Sequence, residues 1–164
     1  MSLNACSSDF VTWQEEVKFN DGRVITVTQK KHVDGGMARE AWLTINLPEL
    51  SPQPIVWHGH LDPMVLNIYE GKLYVVGMPP TQREFEQLGS PRPPYLGYIW
   101  GGGQWKRLQF SEIPVAIYDA NMLLEGLPPA HTKLVTLAQK EKNALGGYSW
   151  WQKRIDANAT GNFY

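Results

Sequence analysis

Two histidines and an aspartate at alternate positions are the residues of this chain best suited to chemistry. His58, His60 and Asp62 lie in a short polar segment that follows an apolar one and ends at Pro63. In extended backbone, alternate side chains point to the same side. Two imidazoles on one side can hold one zinc ion, and a nearby carboxylate can hold a second, as a metal-dependent hydrolase requires. The spacing therefore makes these three residues candidate metal ligands.

This His-x-His-x-Asp pattern resembles the first metal-binding motif of metallo-β-lactamase-like hydrolases. In that family the pattern continues with a further histidine, where this chain has Pro63. The family also needs more ligands downstream and a larger framework, and only His32 and His131 lie outside the pattern here. Three interpretations remain: a catalytic metal, adventitious metal binding by His58 and His60, and a polar loop after a strand. The sequence favours the polar loop, so no cofactor is expected.

A second candidate site is a group of aromatic residues on either side of the glycine triplet at positions 101–103. Its members are Tyr95, Tyr98, Trp100 and Trp105. Tyr98 and Trp100 point to the same side of a predicted strand, and Trp105 lies just across the turn. Exposed rings stack on sugars, proline-rich peptides or protein partners. A small β-protein also needs large rings in its interior, and the sequence favours that interpretation over a binding surface.

Other catalytic motifs fail on sequence context. The glycine triplet lacks the lysine and the following helix of a phosphate-binding loop. Ser90 is followed by Pro91, so no nucleophile elbow forms around it. Glu15 and Glu16 are adjacent on a predicted strand and therefore point to opposite faces, where they cannot act on one bond. The sequence thus predicts a protein that is not an enzyme.

The single cysteine, Cys6, predicts a lipid anchor. It follows a small residue and precedes two serines, which resembles the junction at which a bacterial lipoprotein is cleaved and lipidated. Asn4 is unusual for that motif, the apolar stretch that should precede it is missing, and residues 1–3 resemble a vector-derived start. The alternative is an ordinary residue on a frayed terminus. Under the first hypothesis, residues 1–10 are a flexible tether and residues 11–164 are a single globular domain.

Composition and charge limit the possible partners. Of 164 residues, 43% are hydrophobic, which is enough for a folded core and excludes wholesale disorder. The 15 basic and 16 acidic residues leave a net charge of -1, so a general nucleic-acid-binding surface is not expected. The sequence contains no apolar run of about 18 residues, so we expect the chain to meet a membrane only through a lipid anchor.

Turn residues and alternating apolar positions predict an α+β fold built on an antiparallel sheet. Hairpins are expected at residues 11–31, 65–77 and 95–110, with single strands at 41–47 and 55–57. Sequential hairpins followed by late helices favour a sandwich or a partly open barrel with one or two helices, the longer one near the C-terminus.

Helices are predicted at residues 81–88 and 132–144. Thr81 and Glu84 have the spacing of a capping box at the start of the first helix. A helical turn is expected at 119–125 and an exposed loop at 32–40. The alternation also predicts a buried core, whose members are Trp13, Val17, Leu43, Ile45, Val56, Ile68, Leu73, Val75, Ile99, Leu108 and Ile117.

Three parts of the chain carry a family resemblance. They are Val11–Val17 with Asp21–Arg23, Ile55–Trp57 with Leu66–Val76, and Arg92–Tyr95 with Gln104–Leu108 and Ile113-Pro114. In that order they resemble uncharacterised small exported proteins and predicted lipoproteins of Gram-negative, mainly β-proteobacterial, bacteria. The resemblance covers about residues 10–120 and carries no known activity or ligand set. It implies a periplasmic protein held at the outer membrane by lipid on Cys6.

The functional expectation follows from these arguments. The leading hypothesis is a non-enzymatic cell-envelope domain that binds an envelope protein or a cell-wall component. One alternative is an immunity or inhibitor protein that blocks a toxin or a lysozyme in the periplasm. The other is the small metal-dependent hydrolase that would use His58, His60 and Asp62.

Overall fold

The computed structural model describes residues 9–122, 127–141 and 154–160, and these ranges contain nine strands. In chain order the strands are β1 (Asp9–Lys18), β2 (Val24–Asp34), β3 (Met37–Ile45), β4 (Ile55–Gly59), β5 (Asp62–Tyr69), β6 (Lys72–Met78), β7 (Leu96–Gly101), β8 (Gln104–Leu108) and β9 (Leu134–Val135). A five-stranded sheet has the order β4-β3-β2-β1-β9, and a four-stranded sheet has the order β5-β6-β7-β8. All neighbouring strands are antiparallel except β9, which is parallel to β1. The predicted α+β fold with an antiparallel framework is confirmed, and the sheets do not close into a barrel.

The three predicted hairpins are confirmed as β1–β2, β5–β6 and β7–β8. The loop predicted at 32–40 is wrong, because β2 runs on to Asp34 and β3 already begins at Met37. Gly35 and Gly36 make the turn between them, with φ of 59° and 78°. Two successive positive φ values close a tight hairpin, and glycine adopts them without a steric cost. The short turn therefore keeps residues on both sides of it in the sheet.

Two short α-helices lie in the described ranges, α1 (Gln82–Gln87) and α2 (Leu137–Glu141). The first confirms the predicted helix. The second begins later than predicted, because Leu134 and Val135 pair with β1 as strand β9. Thr136 then caps α2, since its hydroxyl accepts from the Gln139 backbone N–H while the Gln139 side chain accepts from the Thr136 N–H. The rest of the predicted helix, 142–144, lies outside the described residues.

The helical turn predicted at 119–125 is also displaced. Two 3-10 turns occur earlier, at Phe110–Glu112 and Val115–Ile117, and Asp119 instead forms a bridge with Arg154. Residues 123–126 lie outside the described ranges. With the two 3-10 turns in these positions, the segment that follows β8 runs across one face of the four-stranded sheet.

The two sheets pack face to face over one main core. Its buried members come from both sheets and are Val17, Phe19, Val27, Ala41, Leu43, Ile45, Leu47, Ile55, Trp57, Leu61, Leu66, Leu73, Val75, Leu96 and Met122. The other face of the four-stranded sheet packs on the 3-10 turns and on residues 154–160, through buried residues such as Tyr74, Val76, Ile117 and Ile155. The four-stranded sheet is therefore covered on both faces, whereas the five-stranded sheet has one outer face.

Most of the predicted core is confirmed. Buried as expected are Trp13, Val17, Leu43, Ile45, Leu73, Val75, Leu108 and Ile117. Ile68 and Ile99 are only half-buried. Val56 is 49% exposed, because β4 buries Ile55 and Trp57 and must turn the residue between them outward. The prediction that Val56 points into the core is therefore wrong, and its two neighbours on β4 point inward instead.

Side chains protect two sheet edges. On β5, the Asn121 side chain accepts from the Leu66 N–H and donates to the Leu66 carbonyl, as a neighbouring strand would. On β4, the Val56 carbonyl accepts a hydrogen bond from the Trp105 indole. Capping of this kind blocks pairing with a further chain. In the described residues, no helix has the length and apolar character needed to span a bilayer.

Candidate binding surface on the five-stranded sheet

The structure keeps two of the three candidate metal ligands, His58 and His60, close together, with ring centroids 6.2 Å apart, but directs Asp62 to another partner. His58 points outward from β4, and His60 lies in the connection between β4 and β5. Asp62 begins β5 and accepts a hydrogen bond from the Nζ of Lys31 at 2.6 Å, where Lys31 is 1% exposed. Its carboxylate thus neutralises a buried cation and does not join the two imidazoles. In residues 9–122, 127–141 and 154–160, no three His, Cys, Asp or Glu side chains are arranged to hold a metal ion.

The candidate aromatic surface contributes mainly to packing. Tyr95 is buried, its hydroxyl accepts from the Asp156 backbone N–H, and burial raises its pKa. Tyr98 meets Trp57 of the other sheet edge-on, with centroids 5.8 Å apart, and burial raises the pKa of Tyr98 too. Trp100 and Trp105 form a T-shaped pair at 5.4 Å that packs on the main core. Tyr95 therefore cannot belong to an open binding surface, and the other three rings pack between the sheets or at their margin.

The outer face of the five-stranded sheet holds a cluster that the sequence did not predict. Three histidines surround the carboxylate of Glu40 on β3: His32 from β2, His58 from β4, and His60. Glu40 Oε1 lies 2.5 Å from His58 Nε2 and 3.9 Å from His60 Nε2, and Oε2 lies 3.7 Å from His32 Nδ1. We call these four residues the Glu40 cluster.

Strand register brings the Glu40 cluster together. Glu40 pairs with His32 across β2 and β3, and the register shifts by a bulge immediately after His32. One row further along the sheet, Trp42 pairs with Lys30 on one side and with His58 on the other. Because side chains alternate between faces, residues at these even-numbered positions all emerge on the outer face.

Rings from four strands extend the cluster along this face. Trp42 and His58 stack with centroids 4.6 Å apart at an angle of 6°, and Phe10 of β1 stacks on His32 at 5.0 Å. The Nζ of Lys30 lies 4.5 Å from the Phe10 ring centre and 5.3 Å from that of Trp42. Such cation–π contacts fix a lysine above the rings. Phe10, Lys30, Trp42 and the Glu40 cluster together form what we call the outer patch.

The outer patch is accessible but is not a flat stacking platform. Phe10 is 56% exposed, and the side chains of His58 and His60 are 47% and 52% exposed. The Trp42 and His58 rings face each other, so each ring covers one face of its neighbour. A sugar ring needs an open aromatic face on which to stack. The patch therefore offers ring edges, imidazole nitrogens and charged groups, which suit a polar or charged partner better than a sugar.

A second polar group lies on the inner face of the same sheet. Glu15 accepts hydrogen bonds from Gln29 at 2.6 Å and from the Nζ of Lys140 at 3.0 Å, and Lys140 also donates to the Asn121 carbonyl. These side chains are buried, and their charges are paired. Gln29 Oε1 and the Trp13 indole N–H are buried, and neither has a hydrogen-bond partner among the described residues. Buried and paired charges of this kind hold α2 against β1, and we assign them a structural role.

No protein-family model, curated protein or solved structure matches this chain. Function must therefore be argued from the geometry of its own residues.

Proposed function

We propose that this chain is a non-enzymatic binding domain of the bacterial cell envelope, which holds an envelope protein or a cell-wall component against the outer patch. The position of the patch carries this proposal. It lies on the outer face of the five-stranded sheet, whereas both faces of the four-stranded sheet are covered. A contiguous group of exposed rings beside charged groups on such a face is typical of an interaction surface.

The composition of the outer patch supports binding rather than simple solvation. Aromatic side chains are enriched where proteins meet partners, because they bury a large area and lose little conformational freedom. Phe10 on β1 and Trp42 on β3 provide that area, with ring centroids 5.9 Å apart. Lys30 and Glu40 provide opposite charges beside them, which can fix the orientation of a partner. An immunity or inhibitor protein would be one form of this function, with a toxin or lysozyme as the partner.

The geometry gives the hydrolase alternative less support than the binding function. Asp62 pairs with buried Lys31, and the described residues arrange no three suitable side chains around a metal position.

The envelope location is supported by the N-terminal sequence and by the resemblance to small exported proteins. Cys6 and its serine-rich surroundings lie outside the described residues. The proposal is that Cys6 carries lipid and that the domain stands off the outer membrane on a polar tether. Labelling with a fatty-acid analogue in a Gram-negative host tests it: label should appear on the wild type and vanish in Cys6→Ser. Label retained by Cys6→Ser would exclude this anchor.

Binding is tested with the full chain immobilised and exposed separately to an envelope extract and to purified peptidoglycan. The patch variant is Trp42→Ala/His58→Ala. The matched control is Thr28→Ala/Thr44→Ala, because Thr28 and Thr44 form the neighbouring cross-strand pair on the same outer face of the sheet. We expect one partner that the wild type and the control retain and the patch variant loses.

Thermal melting of all three proteins shows whether the patch variant is folded. If it melts early, the milder variant Phe10→Ser/His58→Gln replaces it, since Phe10 is already more than half exposed. A partner retained equally by the wild type and by a folded patch variant would contradict the proposed function.

A further inference from the structure

We infer that the Glu40 cluster receives an acidic segment of a protein partner, and that this contact forms when its histidines are protonated. The inference rests on the proposed function, because it concerns the same outer patch. The chain has four histidines, and three of them lie within 4.0 Å of one carboxylate. The fourth, His131, lies elsewhere, on the segment that leads into β9. Protonation of these three imidazoles would therefore add positive charge at one place on the surface.

The hydrogen-bond acceptors around His58 and His60 determine which ring nitrogen carries the proton in each neutral imidazole. A carboxylate only accepts, so His58 must carry its proton on Nε2 to bond with Glu40 Oε1. His60 Nδ1 lies 3.3 Å from the Arg39 carbonyl, which also only accepts, so its proton is on Nδ1. The Nε2 of a neutral His60 then presents a lone pair toward Glu40 Oε1. Neutral His58 and His60 have thus already directed their N–H groups to Glu40 and to the Arg39 carbonyl, and have none to offer an anion.

Protonation of the histidines makes the net charge of this surface positive. Each imidazole gains one positive charge and a second N–H, while Glu40 supplies the single carboxylate among them. Among the described residues, the groups packed beside the cluster on this face are Phe10 of β1 and Trp42 of β3, which are uncharged, and Lys30 of β2, which adds a positive charge. Asp34, two residues beyond His32 at the end of β2, is the nearest additional acid along that strand. One central carboxylate cannot neutralise four cations, so an acidic partner segment is the complement.

The test measures binding of a fluorescein-labelled ten-residue oligoglutamate to the full chain by fluorescence anisotropy. Oligolysine of the same length is the probe control. Because the protein carries a net charge of only -1 near neutral pH, general attraction of polyanions is small there. We expect at least about tenfold tighter binding of oligoglutamate at about pH 5.5 than at about pH 8, and a loss of affinity in added salt.

Matched variants assign the effect to the Glu40 cluster. His58→Gln/His60→Gln should abolish the pH dependence, and Glu40→Gln should tighten oligoglutamate binding at about pH 8 by removing the competing carboxylate. His131→Asn is the control, because His131 is the fourth histidine and its φ of 67° is one that asparagine tolerates. It should bind as the wild type does. Circular dichroism confirms that each variant is folded.

Three results would overturn the inference. The first is oligoglutamate binding that does not depend on pH. The second is pH dependence that survives in folded His58→Gln/His60→Gln. The third is binding that requires zinc and is abolished by a chelator, which would make the cluster a metal site. If any of these occurs while the Trp42→Ala/His58→Ala variant still loses an envelope partner, the proposed function stands without this inference. If that variant loses no partner, the proposed function itself fails.

Discussion

The indole Nε1–H of Trp105 donates a hydrogen bond to the backbone carbonyl of Val56, 2.9 Å away, and so joins the edges of the two sheets. Trp105 lies on β8 and Val56 lies on β4, the outermost strands of their sheets on this side. The bond satisfies an edge carbonyl that would otherwise be open to pairing with another chain.

Replacing Trp105 with phenylalanine tests this link. Trp105→Phe keeps an aromatic ring against Trp100 but removes the donor to Val56. We expect the free energy of unfolding to fall by about 0.5–1.5 kcal/mol, the usual net value of one hydrogen bond. Urea denaturation measures the change. Trp100→Phe is the control, because its indole takes no part in the bond, and equal losses in both variants would argue against a specific role for the Trp105 N–H.

The buried pair of Glu15 and Lys140 gives a second prediction. Lys140→Met leaves the Glu15 carboxylate buried with only part of its hydrogen bonding, and should lower the free energy of unfolding by about 3–5 kcal/mol. Glu15→Gln/Lys140→Met removes both charges and should recover part of that loss. A double-mutant cycle from urea denaturation measures the coupling. Lys133→Met changes an exposed lysine on the same segment and should have little effect, and additive losses at Glu15 and Lys140 would contradict the pairing.

The strand pattern was accessible from sequence because it depends on local alternation and turn residues. Leu43 and Ile45 are buried as predicted for this reason, since neighbours at a spacing of two share a face. Val56 was misjudged because β4 is only five residues long, and so short an alternation fits either parity. The second helix was misplaced because β9 forms only against β1, a partner distant in sequence. Thr136 and Gln139 carry a capping-box spacing that could have marked its true start.

The Glu40 cluster was not predictable in the same way. His58, His60 and Asp62 were predicted to act together because their alternate spacing resembles a known metal-binding motif. Glu40 and His32 join the histidines through the register of β2, β3 and β4, which single-strand patterns do not specify. The glycine pair at 35–36 indicates a tight hairpin, which places Val33 opposite Ala38, but His32 lies opposite Glu40 only because of the bulge after His32, and the glycines do not specify that bulge.

Two glycines in the four-stranded sheet give a third, comparative prediction. A Cβ on Gly77 would lie 2.6 Å from the backbone oxygen of Asp62, whereas a Cβ on Gly97 would lie 2.8 Å from a side-chain carbon of Ile113. Backbone in a paired strand cannot move aside, but an isoleucine side chain can rotate. We therefore expect Gly77→Ala to destabilise the protein toward the upper end of the range of about 1–3 kcal/mol for overpacking, and Gly97→Ala toward the lower end.

Thermal or urea denaturation of both alanine variants checks this order. Gly101→Ala serves as the control, because a Cβ there would meet nothing within 4 Å. If Gly97→Ala lowered the free energy of unfolding more than Gly77→Ala, the close approach of Gly77 to the Asp62 backbone would be contradicted.

The acid response of Glu84 gives the last prediction. Burial raises the pKa of this carboxyl, but hydrogen bonds from the Thr81 hydroxyl, from its own backbone N–H and from Arg39 outweigh burial, so its pKa lies below the ordinary value. A pKa lower in the folded than in the unfolded state means that ionised Glu84 stabilises the fold above about pH 4.5, and that this contribution is lost as the pH falls through the lowered folded value. Glu84→Gln should therefore be less stable than the wild type near neutral pH, and the difference should shrink in acid.

Urea denaturation of both proteins between about pH 7 and pH 3 measures that difference directly. Glu86→Gln on the same helix is the control, because Glu86 is exposed and its carboxylate bonds to the Gln82 side chain. Its difference from the wild type should stay small throughout, since an exposed pair contributes little. A Glu84→Gln difference that remains constant down to the lowest pH would mean that the Thr81 and Arg39 contacts do not favour the ionised carboxylate, and that α1 is held to β3 by packing alone.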